Sequence, residues 1–193
     1  MVIRSFLAFE IPEEIKKTVS FIYEGLKASS LEGVRWVKQE NIHLTVVFMG
    51  NINEKDIDAI GRAVEKTCNK YAPFRIKAKG AGVFSSLRNA RVLWIGVEGD
   101  IERMTYFRES LQKRLKAFGI KREDNKRFSP HLTVGRFKKG FNQPDKLREV
   151  IERFKDVLSP EAVLNELALF KSELRPDGAV YTKLNSWPLR GKK

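Results

Sequence analysis

The sequence His-Leu-Thr-Val occurs twice in this chain, at residues 43–46 and again at 131–134. In both copies polar and apolar residues alternate, as in a strand with one buried face, so each His and its Thr share the other face. Identity of the three residues after each His would arise by chance roughly once in several thousand trials at average residue usage. The repeat therefore indicates a duplicated functional unit, and it contains both histidines of the chain.

The sequence around the two copies has the same order of elements, strand, helix, strand, helix. Strands are predicted at 4–10, 34–37, 42–48, 74–79, 91–97, 128–134, 163–170 and 179–184, and helical apolar stripes at 15–26, 57–68, 101–115 and 147–158. Gly80 and Gly82 are assigned to a turn region between two strands. Asn53 and Asp100 are predicted helix N-caps, and residues 175–178 a hairpin turn.

This order of elements predicts an α+β protein with helices packed outside antiparallel sheets. No low-complexity or proline-rich linker divides the chain, so residues 1–193 are expected to form a single domain. The duplication predicts that this domain is bilobal, with His43 in one lobe and His131 in a second, pseudo-twofold-related lobe. Two such lobes would leave a central cleft between them.

The composition excludes several classes of protein. With 42% hydrophobic residues the chain can build a core, and its single cysteine can form neither an intramolecular disulfide nor a thiolate zinc cluster. Cys68 falls on a helical apolar stripe and is expected in the core. The longest apolar runs are far shorter than the about 20 residues that span a bilayer, and the N-terminus has no cleavable signal pattern. We therefore expect a cytoplasmic protein with no membrane partner.

The charge is strongly positive, with 37 Lys and Arg against 24 Asp and Glu and a net charge of +13. Such an excess attracts polyanions such as RNA, DNA or acidic lipid headgroups. It also fits the solvated Lys/Glu-rich surface of heat-adapted proteins. Composition alone leaves both interpretations open.

Two imidazoles and two hydroxyls brought together suit phosphoryl transfer. One neutral histidine can accept a proton from the attacking water while a protonated one donates to the leaving oxygen. The Thr45 and Thr133 hydroxyls can donate to the other phosphate oxygens. The competing interpretations are structural histidines bonded to backbone, and a metal site, for which two histidines and Cys68 are too few ligands. No nucleotide-binding glycine loop or Gly-x-Ser-x-Gly sequence is present.

Several segments resemble one known family, the RNA 2′,3′-cyclic phosphodiesterases of the two-histidine (2H) phosphoesterase superfamily, formerly called 2′-5′ RNA ligases. The resemblance runs nearly end to end. It is carried by the paired copies, by 4–8 (Arg-Ser-Phe-Leu-Ala), by 36–50 ending Phe-Met-Gly, by 128–136, by 170–174 (Phe-Lys-Ser-Glu-Leu) and by 178–181.

The resemblance implies a bilobal fold with a basic cleft and hydrolysis of a terminal 2′,3′-cyclic phosphate to a 2′-phosphomonoester, without a metal or other cofactor. By position, His131 would be the general base that activates water and His43 the general acid that protonates the 3′ oxygen. Thr45 and Thr133 would bind the phosphate. Arg136 occupies a family position near the nucleotide, but strict alternation puts it on the core side unless Gly135 ends or bulges the strand.

The implied partner is an RNA with a 2′,3′-cyclic phosphate end, with tRNA fragments as candidate substrates, and we expect a monomer. A group of basic residues flanks the second copy and is expected to follow the RNA backbone: Lys121, Arg122, Lys126, Arg127, Lys138 and Lys139. Two alternatives remain open. One is a ligase that joins 2′,3′-cyclic phosphate and 5′-hydroxyl ends through a 2′-5′ linkage, and the other is a non-catalytic RNA-end binder.

Overall fold

A computed structural model describes residues 1–120, 128–176 and 178–193 of the chain. Among these residues nine strands form one sheet, in which every pairing is antiparallel. The strands are β1 Val2–Glu10, β2 Val34–Trp36, β3 His43–Asn53, β4 Phe74–Phe84, β5 Val92–Gly99, β6 His131–Phe137, β7 Ala162–Leu164, β8 Glu166–Arg175 and β9 Gly178–Pro188. The helices are α1 Glu13–Ala28, α2 Ile57–Cys68, α3 Ile101–Leu115 and α4 Pro144–Phe154.

The sheet consists of two lobes that meet at its centre. The strand order is β7-β4-β5-β6-β3-β1-β8-β9, with β2 beside β6. We call β3, β1, β8 and β9 lobe one, and β6, β5, β4, β7 and β2 lobe two. The register between β3 and β6 is the single pair Leu44–Leu132, so the two copies of the repeat lie at the junction of the lobes.

The helices cover the sheet in two pairs, and each lobe supplies a helix to the other. α1 follows β1 of lobe one but packs on β4 of lobe two, beside α4. α3 follows β5 of lobe two but contacts β3 of lobe one, and its partner α2 contacts β9. One contiguous apolar core joins both lobes, and Cys68 is buried in it as expected. The α+β class, with two antiparallel lobes and helices outside them, is confirmed.

Most predicted elements are present, but several boundaries are wrong. The turn expected at Gly80 and Gly82 does not form, because β4 continues through both. A Cβ at Gly82 would lie 2.3 Å from the Trp94 ring, so this glycine serves close packing. The strand predicted at 163–170 is split between β7 and β8, and β3 extends to Asn53. The hairpin turn is confirmed, since Arg175 pairs with Gly178.

The two expected N-caps do not bond as predicted. Asp100 does precede α3, but its carboxylate accepts from the Arg75 backbone N at 2.8 Å and from Arg103 Nη2 at 2.7 Å, and it makes no cap bond. Asn53 precedes a 3-10 turn, Glu54–Asp56, rather than α2, and its side chain also makes no cap bond. Neither side chain therefore caps a helix.

No helix in the described part of the chain is both long and apolar enough to cross a bilayer.

Candidate active site

His43 is the first residue of β3 and is held on three sides. Its Nδ1 lies 2.7 Å from the carbonyl oxygen of Asn41. Its ring stacks on that of Phe6, with the centroids 4.7 Å apart and the planes inclined by 23°. The Tyr181 ring of β9 approaches edge-on, with a centroid distance of 5.2 Å. The imidazole therefore has little freedom to rotate.

His131 occupies the same position in the second copy, as the first residue of β6. Its Nδ1 lies 2.8 Å from the carbonyl oxygen of Ser129, two residues earlier, just as His43 contacts Asn41. The Phe84 ring approaches His131 edge-on at 4.6 Å. The duplication therefore extends from the sequence to the contact that holds each ring.

These two contacts define the tautomers. A carbonyl oxygen can only accept a hydrogen bond, so Nδ1 of each histidine must carry a proton. In the neutral ring Nε2 then holds the lone pair, and in the charged ring it carries the second proton. Nε2 of each ring is thus the nitrogen that can gain or lose a proton near neutral pH.

The register places the two copies against each other. β3 and β6 run antiparallel through the pair Leu44–Leu132. Because successive side chains alternate, His and Thr of each copy face away from the buried leucines. In an antiparallel pair the neighbours run in opposite directions, so His43 comes beside Thr133 and Thr45 beside His131. The four side chains predicted from the sequence lie on one side of this junction.

Burial and nearby positive charge lower the pKa of both histidines. Desolvation lowers the pKa of His43, helped by the charges of His131 and Arg136, while the bond to Asn41 raises it less. The pKa of His131 is also lowered, mainly by desolvation and then by Arg136, against the opposing bond to Ser129. The free protein therefore favours neutral imidazoles, and a bound phosphate anion would favour the charged form.

A β-bulge in each copy changes which residues reach this face. In β6 the register skips Val134, so Val134 and Gly135 are both buried and Arg136 becomes exposed. In β3 the register skips Val46 in the same way, and Phe48 is exposed. Arg136 can leave the core side only if Gly135 ends or bulges the strand, and β6 does bulge there. The positive charge of Arg136 contributes to the lowered pKa of both histidines.

Close packing of β2 explains the glycine at position 135 but not the bulge, since β3 makes the same bulge with Val46 and Val47. A Cβ at Gly135 would lie 2.7 Å from Cγ1 of Val34. The second copy therefore carries glycine where the first carries Val47.

Sequence reasoning missed the aromatic side chains around His43. Phe6, Phe170 and Tyr181 pack together, with Phe6 and Phe170 stacked at 5.3 Å and Tyr181 edge-on to Phe6 at 5.0 Å. These residues lie in segments that carry the family resemblance, but nothing in their spacing relates them to His43. They meet because β1, β8 and β9 are neighbours in the sheet.

A cavity of about 530 Å³ opens beside His43, within the size range of small-molecule sites. Tyr181 and Phe170 form one part of its wall, and α1 and the turn at Gln39–Asn41 form another. Glu10, Gln39, Ser20 and Lys183 supply polar groups. The cavity therefore offers both an aromatic face and hydrogen-bonding groups next to one of the two histidines.

The structure describes only two of the six basic residues that are expected to contact RNA. Lys138 and Lys139 are exposed directly after β6. Lys121, Arg122, Lys126 and Arg127 lie outside the described residues. No group of three or more His, Cys, Asp or Glu side chains placed to hold a metal is found among the residues that the structure describes.

A family model described as LigT like phosphoesterase matches the chain twice, over residues 9–94 and 95–181. The first match contains His43 and the second contains His131, so the model recognises each half separately.

Curated relatives align over nearly the whole chain. A protein of Methanothermobacter thermautotrophicus named RNA 2′,3′-cyclic phosphodiesterase is 36% identical, covering 98% of this chain and 100% of that protein. A protein of the same name from Methanocaldococcus jannaschii is 34% identical, over 95% of this chain and 99% of its own.

Solved structures match as well. The crystal structure of a Thermus thermophilus protein superimposes with a TM-score of 0.80 at 27% identity, covering 98% of this chain and 100% of that one. Escherichia coli LigT complexed with 3′-AMP superimposes with a TM-score of 0.73 at 23% identity, covering 98% and 99%. At that identity the second likeness shows the fold alone.

Proposed function

Because the chain belongs to the family of LigT-like phosphoesterases, we propose that it hydrolyses the 2′,3′-cyclic phosphate at an RNA end to a 2′-phosphomonoester. Relatives that match it over almost their entire length bear the name of that enzyme. The observation that carries the proposal is the paired anchoring of His43 and His131 by backbone carbonyls, which prepares two Nε2 atoms for proton transfer.

In the proposed reaction, water attacks phosphorus while Nε2 of neutral His131 takes its proton. The bond from phosphorus to O3′ breaks, and Nε2–H of charged His43 gives its proton to O3′. The Thr45 and Thr133 hydroxyls donate to the remaining phosphate oxygens, where charge accumulates. The two histidines supply both proton transfers, so we propose that turnover needs no metal ion.

The cavity beside His43 supports this assignment of roles. In-line displacement places the attacking water and the leaving O3′ on opposite sides of phosphorus. We place the nucleoside of the RNA end in the cavity, with its base against the Tyr181 face. O3′ then points towards His43, and the opposite side, next to His131, is left for water.

The substrate in this proposal is RNA rather than a mononucleotide alone. The net charge of +13 favours a polyanion, and Lys138 and Lys139 extend the basic surface beyond the second copy. We place Arg136 against the nucleotide, where its positive charge would face the phosphate. We propose that the protein acts as a monomer in the cytoplasm and that tRNA fragments are among its substrates.

The experiment that tests the function uses a short RNA with a 2′,3′-cyclic phosphate end, incubated with the protein in chelator. The proposal predicts a product heavier by one water, with its phosphate on the 2′ oxygen. Addition of a second RNA with a 5′-hydroxyl separates hydrolysis from ligation, since a ligase would form a joined product with a 2′-5′ linkage. Binding of the RNA without any turnover would support an RNA-end binder instead.

A further inference from the structure

The side chain of Asn41 connects the two walls of the pocket that holds His43. Its Nδ2 donates to the carbonyl oxygen of Ala179 at 2.8 Å. Ala179 belongs to β9, two residues before Tyr181, whose ring contacts His43. β9 is separated from β3 by two strands, so lobe one must curl strongly for this bond to form. Asn41 thus joins the start of β3 to the far edge of the lobe.

The backbone of the same residue holds the histidine. The Asn41 carbonyl oxygen accepts from Nδ1 of His43, so its position determines both the tautomer and the direction of Nε2. This carbonyl lies at the end of a short 3-10 turn, Gln39–Asn41, whose own bonds are few: Asn41 N to Lys38 O at 2.9 Å and Ile42 N to Gln39 O at 3.1 Å. Such a turn needs additional support to stay in one place.

In the second copy, different residues keep the corresponding carbonyl in place. There the carbonyl of Ser129 holds His131, and the residue between them is Pro130, whose ring restricts both its own backbone and that of Ser129. The first copy has Ile42 at that position. The Ile42 N–H donates to the Gln39 carbonyl oxygen, and a proline at position 42 would remove this bond. The Asn41 amide therefore supplies the rigidity that proline supplies in the other copy.

We propose that Asn41 is a positioning residue, whose side-chain bond to Ala179 on β9 fixes the carbonyl that orients His43. The inference about its contribution to turnover rests on the proposed function, whereas the inference about the His43 tautomer does not. In the absence of the side-chain bond the turn shifts, Nδ1 of His43 loses its acceptor for part of the time, and Nε2 no longer faces the leaving oxygen in every molecule.

The test uses Asn41→Ala and Asn41→Asp, of which the second keeps the size of the side chain but replaces the donor by oxygen. Thr105→Ala is the matched control, because Thr105 Oγ1 also donates to a backbone carbonyl, that of Ile101 at 2.8 Å, but within α3 and away from the cavity beside His43. The chain has only two histidines, so ¹⁵N-labelled histidine gives one pair of ring signals for each. His131 is then an internal reference in every spectrum.

In both Asn41 variants we expect the ¹⁵N chemical shifts of the His43 ring to move away from the values of the Nδ1–H tautomer. The signals of His131 should stay in place. We expect kcat on the cyclic phosphate to fall about tenfold, as part of the hundredfold or more that a general acid supplies, with KM nearly unchanged. Thr105→Ala should leave both the His43 signals and kcat close to wild type.

Unchanged His43 signals in both Asn41 variants would overturn the proposal. Equal changes at His43 and His131, or the same changes in Thr105→Ala, would also overturn it, because they would indicate general loosening of the fold. The NMR result does not depend on turnover. A wild-type protein without phosphodiesterase activity would therefore refute the proposed function while the role of Asn41 at His43 is still tested.

Discussion

Leu44 of β3 faces Leu132 of β6 at the junction of the two lobes, and each of these leucines stands between a histidine and a threonine of the candidate site. Both side chains are 1% exposed. The apolar contact and the face that carries the candidate site are therefore two sides of the same strand pair, and the geometry of that site depends on the packing behind it.

We expect Leu44→Ala to lower the free energy of unfolding by about 2–5 kcal/mol, because it leaves a cavity at the lobe junction. Urea denaturation measures this change. Leu174→Ala is the matched control, since Leu174 is 71% exposed in β8 and its loss should change stability by less than about 0.5 kcal/mol. Equal effects of the two substitutions would mean that the junction is not a packed core.

The pH dependence of kcat/KM should be bell-shaped, with its maximum on the acid side of pH ~6.5, the ordinary histidine value. The active form needs one neutral and one charged histidine, and kcat/KM reports the free enzyme. Burial and Arg136 lower the pKa of both histidines, which moves both limbs of the bell to lower pH. A flat profile between pH ~5 and ~8, or a maximum above pH ~7, would be inconsistent with this account.

Arg136→Met provides a further check on the same profile. Removal of this positive charge favours the charged form of each imidazole, so the pKa of both histidines should rise and the bell should move to higher pH. A profile that stays in place would show that Arg136 does not act on the histidines.

The different roles of the two histidines can be separated by the leaving group. Bis(p-nitrophenyl) phosphate releases a stable phenolate that needs no proton. We expect His43→Ala to lower turnover of the RNA cyclic phosphate roughly a hundredfold or more, and that of the aryl ester much less. His131→Ala should lower both, because water must still be activated. The opposite pattern would reverse the acid and base assignments.

The basic surface should affect only long substrates. We expect the double variant Lys138→Ala/Lys139→Ala to raise KM for an RNA oligonucleotide and to reduce the salt dependence of log KM by about 0.7 for each phosphate that is no longer neutralised. A mononucleotide 2′,3′-cyclic phosphate should be turned over as by wild type. The control is Lys66→Ala/Lys70→Ala, at the end of α2. Similar losses in both double variants would point to a nonspecific effect of net charge.

Periodicity in the sequence was sufficient for the class of the fold and for the prediction that His and Thr of each copy share one face of a strand. The repeat itself carries the signal, because two copies of His-x-Thr with buried leucines predict two strands whose polar faces can meet. Strict alternation could not give the bulges at Val46 and Val134, because it assumes one residue for each register position along the whole strand. Arg136 and Phe48 therefore reach the exposed face against the simple pattern.

Local sequence patterns do not show which distant strand a helix or a side chain will contact. Nothing in α1 indicates that it packs on β4 of the other lobe, since an apolar stripe specifies only that one face is covered. Tyr181 reaches His43 for the same kind of reason, through the curl of lobe one. Asp100 stands at a helix start, as its residue type predicts, but the nearby Arg75 N–H and Arg103 take its carboxylate.

In the proposed reaction, two histidines from duplicated strands hydrolyse a cyclic phosphate. Its most direct test incubates a short RNA bearing a 2′,3′-cyclic phosphate with wild type, His43→Ala and His131→Ala in chelator, and identifies the product by mass and by the position of its phosphate. We expect a 2′-phosphate with wild type and at least roughly a hundredfold loss of turnover in each folded variant. Full activity in either variant, or a 3′-phosphate product, would contradict it.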